Sequence, residues 1–177
     1  MTRAERRAAP EPARIPAAGR PMHPSGGGVD MTYKSKTLAT WIALIGGSLG
    51  LHRFYLHGFR DPWGWLFAWP TLLGLYGVQR MRELGQDDQL AWALIPLLGL
   101  MLAGTMLVAI VYGLMPDEKW DARHNPGRPP GPRAGWGAVI GAIVALMLGA
   151  TVLMATVAFS GQRYFEYQVE EGRKISQ

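Results

Sequence analysis

Two stretches, Leu90–Met115 and Trp136–Ser160, run without a single Asp, Glu, Lys, Arg or His. As helices rising about 1.5 Å per residue they would reach roughly 37 to 39 Å, more than the roughly 30 Å of hydrocarbon in a bilayer. A buried helix in a soluble protein of this size is usually shorter and keeps one polar face. The pattern predicts two transmembrane helices, at 90–115 and 136–160. The mean hydropathy of +0.04 conceals them, because it averages these runs with strongly polar ends.

Two shorter uncharged runs precede them, Thr37–Leu51 and Trp63–Val78. At roughly 22 to 24 Å neither spans a bilayer alone. Continuing the first helix through "HRFYL" gives Thr37–Leu56 and about 30 Å, the required length. "HGFRDP" then reads as the tip of a helical hairpin. Gly58 suits an unusual backbone conformation, Asp61 an N-cap, and Pro62 the first turn of the next helix. The expected fold class is all-α: a polytopic membrane protein in which a two-helix hairpin (34–82) is followed by two further transmembrane helices.

Charge and aromatic rings concentrate around that tip. One turn from a helix end, an arginine stem stays in hydrocarbon while its guanidinium reaches the phosphates, and the helix C-terminus itself favours cations. Phe54, Tyr55, Trp63 and Trp65, with Phe59, fit the belt of interfacial anchors. His52, Arg53 and His57 carry two readings: plain interfacial anchoring, or a small cationic contact for an anionic lipid headgroup. Arg53 and His57 share one helix face, as do His52 and Leu56. On a helix His52 and His57 point about 140° apart, and no Cys or Glu completes a ligand set, so no metal site is expected. His23 and His124 stand alone. The chain has no cysteine, which excludes disulfides and thiol chemistry.

Small residues recur every four positions in the last span, at Gly137, Gly141, Ala145 and Gly149, and in the first at Ala39, Ala43 and Gly47. Such stripes let helix backbones approach closely, either within the chain or across a homo-oligomer. Pro96 is expected to kink the third span or free a carbonyl. Residues 116–135 hold five prolines and three glycines and are expected to form an irregular loop, and residues 161–177 a polar, solvated tail. Residues 1–30, rich in Ala, Pro, Arg and Gly, are expected to be a disordered extension, with Met31 as an alternative start. Lys and Arg near the span ends show a slight excess on the side that places both termini in the cytoplasm. The net charge of +5 is spread over termini and loops, so it reads as membrane-surface charge and not as a nucleic-acid footprint.

The stretch "KSKTLATWIALIGGSLGLHRFYLHG" resembles the opening of the TM-two domain, a family of two-transmembrane hairpins whose bacterial members carry a Gly-x-His-Arg-Phe-Tyr-Leu-Gly signature. Here it reads Gly50, Leu51, His52, Arg53, Phe54, Tyr55 and Leu56, with His57 in place of the last Gly and Gly58 one position later. The resemblance covers roughly residues 34–82. It implies a hairpin in the bacterial inner (cytoplasmic) membrane with no shared enzymatic activity.

No nucleophile elbow, paired-carboxylate site or phosphate-cradling loop accompanies these features. The sequence thus points to a non-catalytic integral membrane protein without a cofactor, whose partners are membrane lipids, a second copy or another membrane protein. The competing reading is a small transporter or channel subunit built by oligomerisation, with Thr105, Thr151 and Thr156 as its weak polar candidates.

Overall fold

The computed structural model describes residues 33–176, in which every regular element is helical. Six α-helices follow one another: α1 (Lys36–Gly46), α2 (Leu51–His57), α3 (Pro62–Leu84), α4 (Gln89–Leu114), α5 (Asp117–His124) and α6 (Trp136–Ile175), with a single 3-10 turn at Gly47–Leu49 between α1 and α2. The first thirty residues lie outside the described part. Of the described helices, α4 and α6 are long and apolar enough to cross a membrane.

The first correction to the sequence reading concerns the helix over Thr37–Leu56, which is not continuous. Ser35 caps α1, accepting from the Leu38 amide, and the helix ends at Gly46 after about 16 Å. At Gly50 the backbone turns left-handed, with φ of 78°, a conformation that glycine adopts without strain. The chain then doubles back. In a straight helix residues 35 and 55 would stand about 30 Å apart. Instead the Ser35 amide donates to the Tyr55 hydroxyl at 2.9 Å, and the Lys34 ammonium donates to the Leu56 carbonyl at 2.5 Å. The first apolar run is therefore a short helix that folds back on itself, and it does not carry the chain from one end of the bundle to the other.

Helices α3, α4 and α6 make the body. Asp61 caps α3 by accepting from the Trp63 amide, with Pro62 in the first turn. Asp88 caps α4 through the Ala91 amide and also takes the Arg80 guanidinium at 2.6 Å, which closes the α3–α4 connection. α3 and α4 run antiparallel, with Gly74 against Leu98 and Gly77 against Leu94. α4 stays helical through Pro96. The stripe of α6 packs inside the chain: Gly137 meets Thr37, Gly141 meets Thr40 and Trp41, and Gly149 meets Met106. Ala145 is fully buried in one cluster with Ala43, Leu44, Met106 and Ala109. The missing side-chain bulk on α6, with Ala43 and Ala109 in the same cluster, is what allows this approach.

Two further differences follow from local chemistry. Residues 116–135 are not wholly irregular, because the prolines sit at 116, 126, 129, 130 and 132 and leave 117–124 free to form α5. Asp117 and Glu118 in its first turn and Arg123 and His124 in its last complement the helix dipole. Residues 161–175 continue α6 as an exposed helix, held by pairs one turn apart: Arg163 with Glu166, Gln162 with Glu166, and Tyr167 with Glu171.

The two ends of the bundle are chemically distinct. At one lie residues 33–36, the α2–α3 tip, α5 and the start of α6. There Lys36 bonds the Met115 carbonyl and Asp117 (2.6 Å), and Trp120, 1 % exposed, packs on Ala39 and Leu56 while its indole donates to the Lys34 carbonyl. At the other lie the α3–α4 connection and the later part of α6, where Arg163 reaches Gln86 and the Trp92 ring. Residues 33 and 175 thus belong to opposite ends of the bundle.

Candidate functional site

α2 carries Leu51–His57, and its short length sorts them by face. His52 and Leu56 turn inward, at 2 % and 1 % exposure. The His52 ring sits edge-on to Phe67 and Tyr112, so it does not join Arg53 and His57 on the outer face. Tyr55 also turns inward, its hydroxyl taken by Ser35 and its ring packed near Trp120. Phe54 stacks on Phe59 and leans on Trp65, whose indole donates to the Phe59 carbonyl at 3.1 Å. Phe59, Trp63 and Trp65 stay exposed and form an aromatic ledge at the tip.

Arg53 and His57 stand one turn apart over the tip. Arg53 donates through Nε to Asp61 at 2.7 Å, and His57 Nδ1 lies 3.7 Å from the same carboxylate. The hydrogen bond from Arg53 holds the Asp61 carboxyl below its ordinary range. Asp61 occupies only Nε; among the described residues the two terminal nitrogens of Arg53 donate to no protein group. Gly58, with φ of 86°, ends α2 so that the chain can swing from His57 into the cap of α3.

α5 brings a second arginine and a second histidine to the same place. Its Trp120 anchors it, His124 stacks on that indole at 4.1 Å between ring centres, and Tyr112 of α4 meets Trp120 edge-on. Burial lowers the pKa of His124, favouring its neutral form. Arg123 is exposed and has no ion pair among the described residues. The result is a cavity of about 430 Å³ between α2, α4 and α5, with Arg53, His57, Arg123 and His124 around it and Leu107, Val111 and Met115 of α4 as its apolar wall.

Arg123 and His124 are the residues that sequence reasoning misses. The signal that could have found them is the proline-free octet 117–124 with acidic start and basic finish, which marks a helix ending in Arg123 and His124. The segment before α1 locks this helix in place. The Tyr33 hydroxyl donates to Asp121 at 2.8 Å, and Asn125 bonds both the amide and the carbonyl of Lys34. Asp121 also accepts from the Gly131 amide, and Asp117 from the Ala134 amide, so the Pro/Gly-rich segment is tied to α5. Among the described residues no three His, Asp or Glu side chains converge as a metal-ligand set.

Comparison with protein-family models, curated proteins and solved structures finds no match to this chain.

Proposed function

We propose that this chain is a non-catalytic integral membrane protein that acts through lipid or protein contacts at the α2–α3 tip and α5. The observation that carries this is the exposed apolar surface of α4 and α6. In each, only 22 % of the most apolar window is buried, whereas a core helix of a soluble protein would be mostly covered. Leu100, Leu107, Leu146, Met147, Met154 and Val157 all face outward and are more than half exposed. Hydrocarbon is the solvent in which such a surface is stable.

In this reading α3, α4 and α6 cross the bilayer, and α1–α2 enters to about half depth and returns. Non-helical backbone at that depth is tolerated only where protein covers it and pairs its polar groups. The turn at 47–50 meets the condition: Thr71 donates to the Ser48 carbonyl at 2.6 Å and the Gly50 amide to the Gly47 carbonyl at 2.9 Å. We retain the TM-two resemblance as part of the proposal, since five of its seven matching positions have a structural duty: Gly50 makes the turn, His52 and Leu56 fill the interior, Arg53 holds Asp61, and Tyr55 holds Ser35. Eight of the Lys and Arg residues from 33 onward lie at the α5 end and five at the other, which favours the α5 end as the cytoplasmic one in a bacterial inner membrane.

The absence of native cysteine makes the test clean. Single cysteines replacing Lys34, Glu118 and Glu170 are labelled from either side of sealed membranes with an impermeant reagent. Lys34→Cys and Glu118→Cys should react from one side and Glu170→Cys from the other. Reaction of Lys34→Cys and Glu170→Cys from the same side would remove the three-crossing topology, and recovery of the chain in the soluble fraction without detergent would remove the membrane assignment.

A further inference from the structure

We propose that the cavity between α2, α4 and α5 is a binding site for an acidic phospholipid, whose phosphate sits among Arg53, His57, Arg123 and His124 while its chains lie along α4. The inference rests on the membrane assignment above and adds the ligand and the residues that hold it. Three observations point to an anionic amphiphile and not to a neutral one or a small anion.

The first is charge. Two arginines from segments seventy residues apart are brought to one rim that no carboxylate lines, and Asp61, which pairs with Arg53, occupies only its Nε. The remaining terminal nitrogens of Arg53 and the whole guanidinium of Arg123 are donors without protein acceptors, in the planar geometry that grips phosphate oxygens. The second is the wall. Leu107 and Val111, 61 % and 51 % exposed, lead from the charged rim along the outer face of α4. A free phosphate would gain nothing from that apolar path, whereas an acyl chain would. The third is position: the rim lies beside the aromatic ledge of Phe59, Trp63 and Trp65, the residue types that settle at headgroup depth. The same end holds the larger share of Lys and Arg, and anionic lipids are concentrated in the leaflet that such an end faces.

The test uses the full chain in nanodiscs of equal parts phosphatidylglycerol and phosphatidylcholine, with lipids that survive detergent extraction counted by native mass spectrometry. The wild type should keep phosphatidylglycerol in preference to phosphatidylcholine. Arg123→Gln, at an exposed position without an ion pair, should weaken that retention about ten-fold, the factor that goes with losing one charge-assisted contact to the phosphate. Val111→Trp should block the wall and weaken it also. Arg60→Gln, which removes an equal charge from outside the cavity, should change nothing. Equal retention of the two lipids, or equal behaviour of Arg123→Gln and Arg60→Gln, would overturn the proposal. So would displacement of the bound lipid by inorganic phosphate, since that would make the site one for a free anion. Carbonate extraction of the same preparations keeps the failures apart: a chain that stays in the membrane without preferring phosphatidylglycerol sinks only this site, and a chain that washes out sinks the membrane assignment beneath it.

Discussion

Gly50→Ala is the sharpest probe of the fold-back between α1 and α2. Two separate penalties meet at this position. The left-handed φ of 78° costs an L-residue about 1–2 kcal/mol. An added Cβ would also fall inside the contact distance of the Gly64 carbonyl oxygen, a backbone atom that can yield only if α3 moves. Overpacking of that kind costs about 1–3 kcal/mol more, so the sum is about 3 kcal/mol. Gly127→Ala supplies the control, because φ is 76° there, at the third position of the turn closed by the Arg128 amide on the Asn125 carbonyl, and nothing lies within 4 Å of the added carbon. It should show the conformational penalty alone. At about 2–4 °C per kcal/mol for a chain of this size, thermal unfolding in mild detergent, followed by tryptophan fluorescence, should drop by about 6–12 °C for Gly50→Ala and by about 2–8 °C for Gly127→Ala. Equal shifts in the two variants would mean that Gly50 does not press on α3, and the close crossing of α2 over the start of α3 would have to be abandoned.

Trp120→Ala should loosen α5 from the bundle at a cost of about 3–5 kcal/mol, since it empties a site that is 1 % exposed and removes the indole bond to the Lys34 carbonyl; limited proteolysis should then cut between residues 116 and 135, and unchanged resistance would refute the anchoring role. Burial and the hydrogen bond donated to Asp121 push the Tyr33 phenol up to about 12 from its ordinary 10.0. A group with a raised folded-state pKa lends stability that is complete below its unfolded value and is lost as pH climbs through the folded one, so the Tyr33 contribution should fade between pH 10 and 12. In a tyrosinate absorbance titration Tyr33→Phe should lose a step near pH 12, and a titration identical to that of the wild type would contradict the Tyr33–Asp121 contact.

Much of the architecture is legible in the sequence where a local rule decides it. Uncharged runs announce α4 and α6, Asp61 and Pro62 announce the start of α3, and Gly58 announces the end of α2. The i, i+4 rule separates Arg53 and His57 from His52 and Leu56, and the two pairs do lie on outer and inner faces. What composition cannot resolve is direction. A run such as "WIALIGGSLGL" has the same apolarity whether it continues or turns back, and Gly46, Gly47 and Gly50 serve equally as packing surface or as a hinge. The turn is decided by what α3 and α4 offer at that level, the Thr71 hydroxyl for Ser48 and the Thr105 side chain against Gly47, and these contacts are long-range. α5 escapes for the opposite reason: the prolines around it dominate the composition of a segment whose middle is free of them.

The hinge at Gly50 and the cavity beside α5 are one arrangement. Lys36, at the start of α1, is bound to Asp117 at the start of α5. Were α1 to continue straight, residue 53 would lie about 25 Å further along the helix axis, and Arg53 would face the middle or far side of the bundle. On the membrane assignment proposed above, a guanidinium at that depth would cost several kcal/mol unless it found a partner. Folding back returns "HRFYL" to the level of α5, where Arg53 reaches Asp61 and looks across the cavity toward Arg123. The turn thus keeps Arg53 at one end of the molecule, and it gathers guanidiniums from two distant parts of the chain against a single apolar wall. A stretch of sequence that looks like an overlong helix with an awkward charged end is, in three dimensions, the device that puts that end where its charge is stable and accessible.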